Sequence, residues 1–327
     1  MMKFSEIKEQ YKSSLKSMDT EETLDLVFYR PIGYMWALLC AKVGITPNVI
    51  TIASIFLGVA GGIMFYFGHP WDRWLNYVGI VLIVWANSFD SADGQLARMT
   101  HQFSRLGRIL DGLSGDFWFV AIYFAICFRV NETSEFFMSI SPFWIWAIAV
   151  LAGVCHAKQA ACADYYRQFH LFFLKGKEGS ELDSCDQLDA ELAKVTWRGH
   201  FWKKATMFFY RNYTANQEVM TPRMQTLRRE LRKRFGDDIP QEFRDAFRAQ
   251  SKPLMKDTNI LSFNTRIIAC FISVIIQMPW IYFVFELTAM NLLLVYMILR
   301  HERMCRGFIK ELRCGKYGSG QPNNVSQ

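Results

Sequence analysis

The segment 89–116, FDSADGQLARMTHQFSRLGRILDGLSGD, joins two strongly apolar runs, yet it carries Asp90, Asp93, Asp111 and Asp116 where those runs should enter or leave a membrane. On a helix advancing about 100° per residue, Asp90 and Asp93 lie roughly 60° apart and share a face. Gly94 and Ala97 continue that face with almost no side chain, so a bulky group can approach the backbone there. Arg98 closes the run with a rigid fork suited to phosphate. A carboxylate inside a spanning segment costs about 2.5 to 3.5 kcal/mol on insertion scales, so acids placed there usually face a polar cavity and serve a function. An acid reaching for water from a helix end explains Asp90 alone. It does not explain four acids in one connected stretch.

Working outward, the 327 residues are 51% hydrophobic and 16% aromatic, an average that a large soluble domain would also give. Resolved along the chain, the apolar residues gather in six runs, at about 48–67, 75–98, 105–128, 142–163, 260–280 and 282–301. Each is near the ~20 residues a helix needs to cross a hydrocarbon core. The expected fold is therefore an all-α integral membrane protein with six transmembrane helices. Residues 1–25 are polar and lack the apolar centre of a signal peptide. In the unit 26–167, an amphipathic segment at 26–44 is expected to lie at the membrane interface as a helix before the first four spans, its aromatic residues suited to that level. A polar insertion at 168–258 follows and reads as cytosolic helices, then spans five and six within 259–312 and a tail at 313–327.

With the amino terminus in the cytoplasm, the exterior loops hold only Arg73 and Arg129, and every other Lys and Arg falls on or near the inner side. That is the expected positive-inside bias, and it places both termini and the acidic segment in the cytosol. It also accounts for the net charge of +7 without nucleic acid as a partner. The eight cysteines are scattered, with no zinc spacing and no expected disulfide. No phosphate-binding G-x-x-x-x-G-K-[ST] loop and no G-x-S-x-G elbow occurs. In the insertion, MTPRMQTLRRELRKRF spaces Met224, Leu227, Leu231 and Phe235 as a helical stripe among arginines. Such a helix either lies on an anionic leaflet or packs on its own insertion.

Oxygen ligands from two neighbouring helices, with no His or Cys among them, suit Mg²⁺ or Mn²⁺. A divalent ion beside an arginine points to a pyrophosphate substrate, whose oxygens the metal bridges as phosphorus is attacked.

The motif itself, Asp90-x-x-Asp93-Gly94-x-x-Ala97-Arg98, eight residues, then Gly107-x-x-x-Asp111, resembles the signature of the CDP-alcohol phosphotransferases. The resemblance covers about 26–165 and 259–312 and leaves the insertion without a counterpart. It implies that the hydroxyl of one alcohol attacks the β-phosphorus of a second, CDP-linked alcohol, releasing CMP and leaving a phosphodiester. It further implies that Asp90, Asp93 and Asp111 hold a pair of metal ions, and that Asp93, Gly94, Ala97, Arg98 and Gly107 accommodate the nucleotide. Asn48 and Thr51, in a segment resembling the family's entry to the first span, are further nucleotide candidates, with helix capping as the alternative.

The departure lies in the fourth acid. The family pattern puts it at position 115, as metal ligand and general base; here that residue is Gly115 and the acid is Asp116. In a regular helix Asp116 stands about 140° from Asp111. A π-bulge, eased by Gly112 and Gly115, would return Asp116 to the site as ligand and base; otherwise another group or the substrate supplies the base. On the acceptor side the expectation names Arg105, Lys158, Arg167 and Arg266, the last two near the inner boundary of later spans.

The expected reaction uses CDP-diacylglycerol and a small polar acceptor, in phospholipid biosynthesis. The alternatives are a CDP-linked polar alcohol with a lipid hydroxyl acceptor, an ion-coupled transporter, and a catalytically silent relative. The expected partners are the donor, the acceptor and membrane lipid, with a homodimer as an open option.

Overall fold

The computed structural model describes residues 9–11, 13–15, 19–175, 184–196, 201–236 and 238–317, without the side chains of Arg105, Leu106, Arg108, Ile109, Lys175, Trp202 and Phe209. No strand occurs among them. A π-helical turn, Asp25–Tyr29, runs straight into α1 (Arg30–Val43). There follow α2 (Pro47–Ile63), α3 (Leu75–Thr100), α4 (Arg105–Thr133), α5 (Glu135–Ile140) and α6 (Phe143–Lys175). The insertion forms α7 (Cys185–Lys194), α8 (Phe201–Met220), α9 (Pro222–Phe235) and α10 (Gln241–Ile260). Last come α11 (Phe263–Ile275), α12 (Ile281–Leu287) and α13 (Ala289–Arg313).

Among the described residues, five helical stretches are long and apolar enough to cross a membrane: Pro47–Tyr66, Leu110–Thr133, Phe143–Leu174, Gln241–Ile275 and Ile281–Arg313. Large apolar side chains such as Phe56, Phe124, Val150 and Leu292 stand exposed on them, as a lipid-facing surface requires. The chain is a multi-pass membrane protein. The sixth expected span, α3, is a single helix of 26 residues but is not among the five. Its second half is the polar run DSADGQLAR, which dilutes the apolar character of the first.

The chain divides into two compact units. The first, Met1–Gly153 with Phe263–Leu287, contains the acidic segment. Local signals start and stop its helices: Pro31 and Pro47 stand in first turns, and Gly44 ends α1 in the left-handed region at φ 76°. Ser104 begins α4 by accepting the Gly107 N–H at 2.8 Å. α2 packs on both α3 and α4, and α1 packs on α3. The α2 contact is backbone-close: a Cβ on Gly61 would stand 2.8 Å from the Gly79 carbonyl, and one on Gly79 2.6 Å from that of Gly61. Phe65, Ile83, Ile122, Ile126, Val274 and Phe283 form the core beyond this contact.

At the end expected outside, Arg129 is buried. It donates to the Phe65 carbonyl at 3.1 Å, Asn76 Oδ1 at 2.8 Å and Gln277 Oε1 at 2.6 Å, so one of the two exterior cations is an internal pin.

The second unit, Val154–Ser262 with Thr288–Gln327, joins the insertion to α13. Met224, Leu227 and Leu231 of α9 are buried, and α9 packs on α13, with Met224 Sδ 3.6 Å from Cys305 Sγ. Glu302 of α13 accepts the backbone N–H groups of Arg223 and Met224 at 2.7 and 3.2 Å, capping the α9 terminus. The apolar stripe of the basic helix is therefore spent inside the protein, not on a leaflet.

Candidate active site

Asp90 and Asp93 project from α3 and Asp111 from α4, and one carboxylate oxygen of each lies within 4.8 Å of the others. The three differ in surroundings: Asp93 is buried, Asp90 half-buried and Asp111 exposed. Asp93 accepts the hydroxyl of Thr51, itself buried one turn into α2. Asp90 accepts the Ser114 hydroxyl at 2.6 Å, and Ser114 also reaches the Asp111 carbonyl at 2.9 Å. Each α3 carboxylate is thus oriented by a hydroxyl from another helix. Such fixed orientation is what a ligand set needs, because second-shell bonds set where the first-shell oxygen points.

Neither Asn48 nor Thr51 caps a helix. The N-cap of α2 is Thr46, Thr51 turns to Asp93, and Asn48 Oδ1 accepts from Ser104 Oγ at 3.0 Å. Gly107 packs against that pair: a Cβ there would overlap Asn48 Oδ1 and stand 2.8 Å from Ser104 Oγ. At Gly94 a Cβ would have the Arg98 guanidinium as its nearest neighbour, at 3.5 Å, an ordinary contact distance, so the backbone of α3 is not tightly covered there. Arg98 Nε donates to the Ser14 carbonyl, and Gln95 Nε2 donates to Ser14 Oγ at 3.3 Å, so a piece of the amino-terminal segment lies against the end of the motif. Nothing in the spacing of the polar first 25 residues announces this.

The fourth acid does not join the three. α4 is continuous α-helix from Arg105 to Thr133, without the π-bulge expected between Asp111 and Asp116. Regular geometry leaves Asp116 about 140° around from Asp111, and its side chain is exposed. A Cβ on Gly115 would meet nothing within 4 Å. The wide turn is present elsewhere, at Asp25–Tyr29.

Of the acceptor-side residues, Arg266 is buried and its Nη1 donates to Glu286 Oε2 at 2.6 Å, while Tyr282 Oη donates to Glu286 Oε1 at 2.8 Å. Sequence reasoning singled out the arginine and missed the acid. Arg167, in the second unit, donates from Nη2 to Ser262 Oγ at 2.6 Å, while its Nε is buried without a hydrogen-bond partner. Lys158 is exposed, and the Arg105 side chain lies outside the described residues.

Three hard carboxylates at this separation, with no nitrogen or sulfur donor among them, fit an oxygen-preferring divalent cation. A family model, CDP-alcohol phosphatidyltransferase, matches residues 44–168, from the end of α1 into α6. No curated protein matches the chain. The matched stretch contains all three clustered aspartates, Thr51, Arg98 and Gly107. Over residues 44–168 the chain is thus similar to the CDP-alcohol phosphatidyltransferases, a family of transferases that take a phosphoryl group from a CDP-alcohol donor to an alcohol acceptor.

Proposed function

We propose that the chain is a divalent-metal-dependent enzyme of phospholipid biosynthesis, with CDP-diacylglycerol as donor and a small polar alcohol as acceptor. The observation that carries this reading is the convergence of Asp90, Asp93 and Asp111 within 4.8 Å on the family motif. Bound Mg²⁺ or Mn²⁺ would supply charge neutralisation at the pyrophosphate. The protein's own part is orientation. Thr51 and Ser114 fix the carboxylates, the loosely covered backbone at Gly94 leaves room for the nucleotide, and Arg98 offers its remaining guanidinium donors to phosphate. In the transfer, the acceptor oxygen forms its bond to the β-phosphorus, the bond from that phosphorus to CMP breaks, and the hydroxyl proton leaves to a base.

For an anionic acceptor the reading sets Arg266 aside, because its charge is already matched by Glu286. An active site on the cytosolic side follows from the distribution of Lys and Arg. The test is CMP release by purified protein in detergent from CDP-diacylglycerol and from CDP-linked polar alcohols, with Mg²⁺, with Mn²⁺ and with EDTA. Release from CDP-diacylglycerol only with metal is expected. Release confined to polar CDP-alcohols reverses donor and acceptor, and no release from any donor removes the enzymatic reading.

A further inference from the structure

One face of α13 changes character along its length. Leu292, Val295 and Leu299 are exposed apolar residues at i, i+3 and i+7, in the part of the helix apolar enough to lie in a membrane. The same line continues without a break into Arg303, Arg306 and Lys310, all exposed. At about 100° per residue the six side chains fall within a band of roughly 80°. The face that meets lipid tails thus becomes cationic as the helix leaves them. Tyr296 marks the level of the change, since aromatic residues with a polar tip collect at the membrane–water boundary. It is exposed, and its hydroxyl accepts from Arg300 Nη1 at 2.8 Å.

Neighbouring cations are matched and these three are not. Arg300 lies 3.0 Å from Asp257 Oδ2, and Arg313 lies 3.0 Å from Glu230 Oε1. Among the described residues no acid pairs with Arg303, Arg306 or Lys310. The two acids of this stretch are engaged elsewhere: Glu302 accepts the Arg223 and Met224 N–H groups, and Glu311 accepts the Tyr317 hydroxyl at 2.6 Å and pairs with Lys316 at 3.0 Å. With a rise of about 1.5 Å per residue, Arg303 stands roughly 6 Å and Arg306 roughly 10 Å beyond Leu299. The headgroup layer is about 5 to 8 Å thick on each side, so both guanidiniums reach it, helped by the length of their side chains. Residues three apart on a helix are neighbours, and two planar forks side by side suit one phosphate.

We propose that this face of α13 is a binding site for one acidic phospholipid of the host membrane. Its acyl chains lie along Leu292, Val295 and Leu299, and its headgroup phosphate sits between Arg303 and Arg306. Lys310, further out, adds to the field that selects a net negative headgroup over a zwitterionic one. The site lies wholly in the second unit and does not rest on the reaction proposed above.

The test is lipid binding to the full-length protein in detergent. The protein is stripped of lipid and titrated with phosphatidylglycerol or with phosphatidylcholine of the same acyl chains, and bound lipids per chain are read by native mass spectrometry. Wild type is expected to take its first phosphatidylglycerol about tenfold more tightly than phosphatidylcholine. Arg303→Gln with Arg306→Gln should weaken that lipid by about 5- to 30-fold, the loss expected for one to two cations beside an anionic leaflet, and leave phosphatidylcholine unchanged. Arg303→Lys with Arg306→Lys keeps both charges and should retain the preference. Arg229→Gln, Arg232→Gln and Lys233→Gln together remove three exposed charges from α9, level with the end of α13 through the Arg313–Glu230 pair and roughly 20 Å past Leu299. That variant should bind as wild type does. Equal affinity of wild type for the two lipids overturns the inference. So does an unchanged preference in Arg303→Gln with Arg306→Gln, which would give the acidic lipid to another surface. An equal loss in the α9 variant also overturns it, because the preference would then be a property of net charge alone.

Discussion

Replacing Arg266 by Ala should unfold the first unit more readily instead of weakening acceptor use. Arg266 is 1% and Glu286 0% exposed, so removing the guanidinium leaves the Glu286 carboxylate, which accepts the Tyr282 hydroxyl at 2.8 Å, inside the helix bundle without its cation. Breaking one side of a buried pair typically costs about 3 to 5 kcal/mol, because the surviving charge keeps its desolvation penalty. For a unit of this size that corresponds to a fall in Tm of roughly 6 to 20 °C. Removing both charges is different: Arg266→Met with Glu286→Leu should recover most of the loss, since a well-packed apolar pair is often as stable as the ion pair. The protein supplies its own reporter, because Cys127 and Cys270 are buried in this unit and Cys270 stands one helical turn beyond Arg266. A thiol-reactive fluorophore added during a thermal ramp in detergent reads their exposure. An Arg266→Ala protein within about 1 kcal/mol of wild type, showing a raised KM for the acceptor alone, would refute the argument and give this guanidinium to the substrate.

Asp93→Asn and Asp111→Asn should each abolish CMP release while leaving the thermal profile near wild type, and excess EDTA should do the same to the unmodified enzyme; full turnover in EDTA would remove the cation from the site. Gly107→Ala inserts a methyl into the Asn48–Ser104 contact, so CDP-donor affinity should fall about tenfold, some 1.4 kcal/mol; an unchanged Kd for the donor would show that this contact does not shape the nucleotide site. Asp116→Asn should keep turnover within about twofold, the range of an exposed substitution worth under 0.5 kcal/mol; a loss of 10²-fold or more would mean that Asp116 reaches the site in the working enzyme.

What was legible in the sequence is what local spacing encodes. The face shared by Asp90 and Asp93 follows from helical period. The cluster with Asp111 was legible only because a long motif carried it across a loop. What stayed hidden depends on contacts between distant segments. Glu286 is a lone acid in an apolar run, and its partner stands 20 residues earlier on another helix, so no periodicity marks the pair. Ser114 looked like an ordinary helix residue until α3 and α4 met. The π-turn was sought between Gly112 and Gly115, where deformability suggested it, and formed instead at Asp25–Tyr29, a stretch without glycine. Backbone permissiveness allows an irregular turn; packing decides where one forms. The six-span count rested on six apolar runs, and α3 stands outside the five long apolar stretches because its second half is polar.

The capping of α9 by Glu302, and the seating of Met224 against Cys305, set an order of events during synthesis. The α9 stripe leaves the ribosome before its partner exists, because α13 ends about 80 residues later, a delay of roughly 4 to 16 seconds at ordinary elongation rates. Throughout that interval Met224, Leu227 and Leu231 have no surface of α13 to cover them, and one further apolar stretch, Gln241–Ile275, is made before the stretch that carries α13. The insertion is thus a segment whose own maturation waits on the last membrane crossing. A chain arrested before α13 would present an uncovered apolar helix to quality-control machinery, even though its aspartate cluster was already complete.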